Sequence, residues 1–121
     1  MVEKQYYLLM EARDGEKKAS YIPIVLSHTT DGSSGSVEMY KKFSDGMERV
    51  SRHTFNGYQQ DARGLNLPGL IGNELLHQLR LGGSLLESKV HVGERTWTAH
   101  QQYTDAKALF AAYEQHNGTN Q

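Results

Sequence analysis

The chain has 121 residues, 37% of them hydrophobic, and its 13 basic and 14 acidic side chains give a net charge of −1. This length suits a single domain, and the balanced charge gives no global sign of the basic face of a duplex-DNA-binding protein. There is no cysteine, which excludes disulfides, thiolate nucleophiles and cysteine-ligated metal sites.

The first half of the sequence predicts four strands. Asp-Gly pairs at 14–15, 31–32 and 45–46 are typical of turns between strands, because glycine adopts left-handed backbone without steric cost. The apolar runs around these turns predict strands over 3–13, 20–30, 37–43 and 47–55. Proline cannot donate to a ladder of hydrogen bonds, so Pro23 predicts an edge or a bulge early in the second strand.

The second half predicts a helix, a hairpin and a second helix. Asn66 and Pro68 fit a helix start, leucines recur at helical spacing up to Leu79, and Gly82-Gly83 ends the helix. Segments 85–92 and 95–99 predict a hairpin that turns at Gly93-Glu94. Thr104-Asp105 then caps a helix with one apolar stripe, formed by Ala106, Leu109, Phe110 and Tyr113.

These elements predict an α+β fold of ββββ-α-ββ-α order. Strands joined by short connections favour an antiparallel sheet, and we expect both helices to pack on one face of it. We expect residues 1–116 to form one domain and residues 117–121 a disordered tail. No stretch approaches the roughly 18 apolar residues of a membrane span, and the run 6–10 is too short for a signal-peptide core. We therefore expect a cytoplasmic protein without a membrane partner.

No pattern in the sequence predicts a catalytic residue, a cofactor or a metal site. The six histidines are far apart in sequence, and none forms a pair at the spacing that metal binding on one helix or strand requires. We interpret them as surface or half-buried imidazoles. An enzyme whose site is not visible in the sequence is only the third of our interpretations.

The leading interpretation is a non-enzymatic binding or assembly module that contacts another protein or a second copy of itself. Such contacts would use a sheet edge or the leucine-rich helix, whose candidate interface residues are Leu70, Leu76 and Leu79. The alternative is a module that binds single-stranded nucleic acid through the hairpin 37–58, where aromatic side chains for stacking alternate with cations for phosphates. Its candidate residues are Tyr40, Lys41, Lys42, Arg49, Arg52, His53 and Tyr58. The two interpretations differ in whether the helices cover the aromatic side chains of this hairpin.

Overall fold

A computed structural model describes residues 3–15, 18–29, 31 and 34–119, with the backbone alone for Glu3 and residues 117–119. The α+β class and the predicted order of elements are confirmed. The elements are β1 (Glu3–Asp14), β2 (Ser20–Thr29), β3 (Gly35–Phe43), β4 (Gly46–Phe55), α1 (Leu67–Arg80), a 3₁₀ turn (Leu85–Glu87), β5 (Lys89–Val92), β6 (Arg95–Tyr103) and α2 (Ala106–Thr119).

The six strands form one antiparallel sheet in the order β4-β3-β2-β1-β6-β5. Gly15 and Gly46 have φ values of +58° and +126°, as the predicted Asp-Gly turns require. The glycine of the third predicted turn, Gly32, lies outside the described residues. Because β1 and β2 lie in the middle of the sheet, each has a neighbouring strand on both sides.

The two helices pack on opposite faces of the sheet, so the expectation that both cover one face is wrong. Helix α1 packs with β3, β4 and β5 over the core that contains Leu8 and Leu26. Helix α2 packs with β1, β2 and β6 over Leu9 and Val25. Successive residues of a strand point to opposite faces, and Leu8 and Leu9 are both fully buried. A sheet that is apolar on both faces needs cover on both, which explains the second helix.

The second half departs from the predicted boundaries at three points. The predicted strand 85–92 begins with the 3₁₀ turn, where Ser84 Oγ accepts a hydrogen bond from the backbone N–H of Leu86, and only β5 remains extended. Strand β6 continues to Tyr103, and α2 continues to Thr119, three residues into the predicted tail. Residues 120–121 lie outside the described part of the chain. Neither α1 nor α2 combines the length and the apolar character that crossing a membrane requires.

Pro23 lies in an interior strand, not at the predicted edge. It pairs with Leu9 of β1, whereas the pairing of β2 with β3 ends one residue away, at Ile24 and Met39. Beyond that pair, β3 continues to pair with β4, through a register shift between Met39 and Tyr40. The missing N–H of Pro23 therefore falls where the β2–β3 ladder has already ended, which makes an interior proline tolerable.

Candidate functional site: the His28 cleft

A cleft of about 500 Å³ opens between α1 and the end of the sheet where β1 begins and β2 ends. This volume is within the range of small-molecule sites, about 300–1,000 Å³. We call it the His28 cleft. It is lined by Lys4, Tyr6, His28, Asp31, Gly57, Tyr58, Leu76, Leu79 and Arg80.

Strand register places Tyr6 and His28 side by side on the wall of the cleft. His28 pairs with Lys4 across the β1–β2 ladder, so Tyr6 is its diagonal neighbour on the same face. The two rings are stacked, with centroids 5.4 Å apart and planes 18° apart. On its other side His28 pairs with Gly35, where a Cβ would come within 2.8 Å of both the His28 Cα and the Phe55 ring. Gly35 thus permits the close packing that buries His28.

The imidazole of His28 is only 6% exposed and satisfies one of its two nitrogens. Nδ1 lies 2.6 Å from the backbone carbonyl oxygen of Thr29. A carbonyl can only accept, so Nδ1 carries the hydrogen and Nε2 presents a lone pair in the neutral ring. Nε2 is buried and has no hydrogen-bond partner among the described residues. His28 lines the cleft, and its Nε2 is an acceptor that is shielded from solvent and that none of the described residues satisfies.

Helix α1 fixes the opposite wall of the cleft through the connection that follows β4. The side-chain amide of Asn73 accepts from the backbone N–H of Gln59 at 2.8 Å and donates to its carbonyl oxygen at 2.9 Å. This pair of hydrogen bonds to the backbone of Gln59 holds the adjacent Tyr58 against the last turn of α1. There the Tyr58 ring stacks on His77 with centroids 4.8 Å apart, and the Arg80 guanidinium lies 5.2 Å from the Tyr58 centroid, within cation–π range.

The cleft carries an excess of positive charge. Lys4 and Arg80 form no ion pair within the part of the chain that the structure describes. Among the described residues Asp31 is the one carboxylate in the lining, and it accepts a hydrogen bond from Thr29 Oγ1 at 2.7 Å. Counting the described side chains, two cations against one carboxylate leave one positive charge at a site that also carries aromatic and aliphatic groups.

The candidate nucleic-acid residues do not share one surface. Four of them lie on the α2 face of the sheet, and three of these are engaged there: Tyr40 packs on Phe110 with centroids 5.2 Å apart, and Lys42 forms an ion pair with Glu114 at 2.6 Å. On the same face Arg49 pairs with Glu38 at 2.8 Å, and Arg52 lies opposite Glu38 in the ladder.

The other three nucleic-acid candidates lie away from that face. Lys41 is exposed opposite Glu48, and His53 is half-buried beside Gly69 at the start of α1. Tyr58 belongs to the His28 cleft. The hairpin therefore does not assemble the continuous stacking platform on which the nucleic-acid interpretation depends. Binding of nucleic acid itself stays a prediction.

The candidate interface leucines face the interior. Leu76 is buried in the core under α1, and Leu70 and Leu79 are half-buried against the same core, with Leu79 also lining the cleft. The most exposed apolar side chain of this region is Leu81, which follows the last residue of α1. Helix α1 therefore uses its leucine arc mainly to cover the sheet.

A second cluster of titratable groups lies on the α2 face, around Glu11. Tyr21 donates to the Glu11 carboxylate at 3.1 Å, and His100 Nδ1 lies 3.5 Å from it. Burial by itself raises the pKa of the Glu11 carboxyl, but hydrogen bonds from Arg13 and Tyr21 outweigh burial and the net shift is downward. Burial and the hydrogen bond to Glu11 raise the pKa of Tyr21. Across the described residues, no group of three or more His, Asp or Glu side chains is arranged to hold a metal ion.

Comparison with known proteins adds no relative to this description. The chain matches no family of proteins, and no curated protein and no solved structure is similar to it. The His28 cleft and its residues are therefore the features that indicate what this protein binds.

Sequence reasoning missed the principal residues of the cleft. His28 was interpreted as a surface or half-buried imidazole, whereas it is among the most buried polar residues. One signal pointed to this: His28 continues a strand that is apolar at nearly every position from Tyr21 to Leu26, without the alternation of a half-exposed strand. No comparable signal marks Lys4 and Arg80, because they are ordinary cations at the ends of their elements.

Proposed function

We propose that this protein is a binding module that takes a small ligand into the His28 cleft. The observation that carries the proposal is the buried imidazole of His28 with its unsatisfied Nε2. A buried acceptor without a partner costs about 1–3 kcal/mol, so folded proteins rarely keep one without a reason. A ligand that donates a hydrogen bond to Nε2 would recover this free energy on binding.

The surroundings of His28 support the same proposal. The cleft has the volume of a small-molecule site, and its lining combines aromatic and aliphatic side chains with charged groups and His28. The Asn73–Gln59 hydrogen bonds fix the far wall before any ligand arrives. A preformed wall reduces the conformational entropy that binding would otherwise cost.

Contacts with another protein or a second copy have weaker support, at the exposed edge strand β4. No strand among the described residues pairs with the outer edge of this ten-residue strand. Two features of β4 oppose pairing with a further strand: Val50 is bulged at the register shift, and Glu48, Arg49 and Arg52 place charges along the edge. Bulges and charges are common means of protecting an edge strand. Ligand binding in the cleft is therefore the function we put forward.

The test is a fragment screen by saturation-transfer NMR, on the wild-type protein and on two tryptophan variants. Leu79→Trp places a larger side chain in the cleft lining. Leu86→Trp is the matched control, because Leu86 is an exposed leucine outside the lining. We expect a set of fragments that binds to the wild type and to Leu86→Trp and loses its signal with Leu79→Trp.

Two outcomes contradict the proposed function. One is that no fragment binds to the wild type, and the other is that fragments bind equally to all three proteins, which would put their site elsewhere. Circular dichroism checks that Leu79→Trp is folded. If it is not, Lys4→Trp obstructs the cleft from an exposed position at the start of β1 and gives the same comparison.

A further inference from the structure

The state of His28 constrains what a ligand must offer. Nδ1–H is engaged by the carbonyl of Thr29, so the neutral ring can only accept at Nε2. A ligand that reaches Nε2 must therefore bring a hydroxyl or an N–H hydrogen. A group with lone pairs alone, such as a carboxylate or a carbonyl, would repel the Nε2 lone pair.

The shape and chemistry of the walls favour a flat ligand. One wall carries the Tyr6 ring in a stack with His28, and the opposite wall carries the Tyr58 ring, which His77 and Arg80 hold in place. Leu76 and Leu79 add aliphatic surface to the lining. Aromatic side chains gain most from contact with another planar π system, in a stacked or an edge-to-face arrangement.

The charge of the cleft favours an anion. The Cζ atom of Arg80 lies over the Tyr58 ring, 5.2 Å from its centroid, and the guanidinium carries five N–H donors that can bind an acceptor. Within the described residues neither Arg80 nor Lys4 has a carboxylate partner. A planar carboxylate is the group that guanidinium binds best, through two parallel hydrogen bonds.

We infer that the ligand of the His28 cleft is a small aromatic carboxylic acid that also carries a hydroxyl or N–H donor. Its carboxylate binds Arg80 and Lys4, its ring lies between Tyr6 and Tyr58, and its donor reaches Nε2 of His28 once the side chains that shield this nitrogen shift. This inference rests on the proposed function and specifies the ligand of the same site. The inferred ligand has three required features: a donor, a planar ring and a negative charge. A probe molecule can lack any one of them while keeping the other two.

The experiment compares four probes by NMR titration of the wild-type protein near neutral pH. The reference probe is para-hydroxybenzoate. Benzoate lacks the donor, para-hydroxybenzamide lacks the charge, and 4-hydroxycyclohexanecarboxylate lacks the planar ring. We expect para-hydroxybenzoate to bind about threefold to tenfold more tightly than each of the other three, since one hydrogen bond, one exposed charge contact or one aromatic contact contributes about this factor.

Three variants assign each requirement to a residue. Arg80→Gln should remove most of the preference for para-hydroxybenzoate over its amide, and His28→Phe should remove the preference over benzoate. Arg63→Gln is the matched control for the loss of an arginine, because Arg63 is an exposed side chain paired with Asp61 outside the cleft lining, and its dissociation constants should equal those of the wild type.

The failure of this inference is distinguishable from the failure of the proposed function. If fragments from the screen bind in the cleft but the four probes bind equally or not at all, the ligand class is wrong and the binding module remains. If Arg80→Gln and Arg63→Gln change binding alike, the assignment of the carboxylate to Arg80 is wrong. Because Arg80 is exposed, this variant remains informative even if His28→Phe does not fold.

Discussion

The energetics of His28 set it apart from the other histidines of the chain. Its ring is buried in an interior strand, gains a stack with Tyr6 and donates from Nδ1 to Thr29. Nε2 is shielded from solvent and gains no hydrogen-bond partner from the part of the chain that the structure describes. A phenylalanine would keep the ring and the stack without this unsatisfied nitrogen, so we attribute the imidazole to binding and not to folding.

This attribution predicts the stability of a variant. In His28→Phe the loss of the Nδ1–H hydrogen bond costs about 1 kcal/mol, whereas removal of the unsatisfied Nε2 returns about 1–3 kcal/mol. We expect the free energy of unfolding, measured by urea denaturation, to stay the same or to rise by up to about 2 kcal/mol. A fall of more than about 2 kcal/mol would mean that Nε2 is already satisfied in the folded protein, for example by a water molecule, and would contradict the attribution.

At the same scale, the hairpin residues show where sequence reasoning reaches its limit. The alternation of aromatic and basic residues between Tyr40 and Tyr58 is real, but its meaning depends on which side chains share a face. The register shift between Met39 and Tyr40 changes the alternation halfway along the hairpin, and Phe110 of α2 covers Tyr40. A bulge and a contact with a distant helix leave no local signal, so neither was predictable from these residues.

At the scale of elements, the position of α2 was the main error, and the strands contained the information to avoid it. The apolar runs of β1 and β2, Tyr6–Met10 and Tyr21–Leu26, are continuous and do not alternate. Such runs are typical of strands buried on both faces. The stripe of α2 was predicted correctly, because helical periodicity is local, and Leu109 and Tyr113 are both buried. The face of the sheet that this stripe covers was not predicted correctly, because a helical stripe does not specify the surface that it packs against.

The packing of α2 gives a prediction for this element. Leu109 is fully buried against Leu9 and Val25, so Leu109→Ala should lower the free energy of unfolding by about 3 kcal/mol. Lys107→Ala is the control on the exposed side of the same helix, and it should change stability by no more than about 0.5 kcal/mol. Urea denaturation of both variants measures the difference. Equal stabilities would show that α2 does not cover the second face of the sheet.

At the scale of the whole molecule, the cleft is a consequence of the topology. The chain builds a meander from β1 outward to β4, and α1 then crosses the sheet towards β5 on the other side. The last turn of α1 therefore comes to lie over the start of β1 and the end of β2, which brings Arg80 to Tyr6 and His28. The order of elements was predictable from periodicity and turns. The strand order and the site were not, because both depend on contacts between distant parts of the chain.

The central claim is that Nε2 of His28 is an acceptor that the ligand satisfies. The direct measurement is a ¹⁵N–¹H spectrum of the histidine side chains, recorded without ligand and with a fragment that depends on the cleft. We predict that His28 has its hydrogen on Nδ1 in the free protein and that the Nε2 resonance moves when the fragment binds. A hydrogen on Nε2 in the free protein, or an Nε2 resonance that stays in place at saturation, would contradict the account.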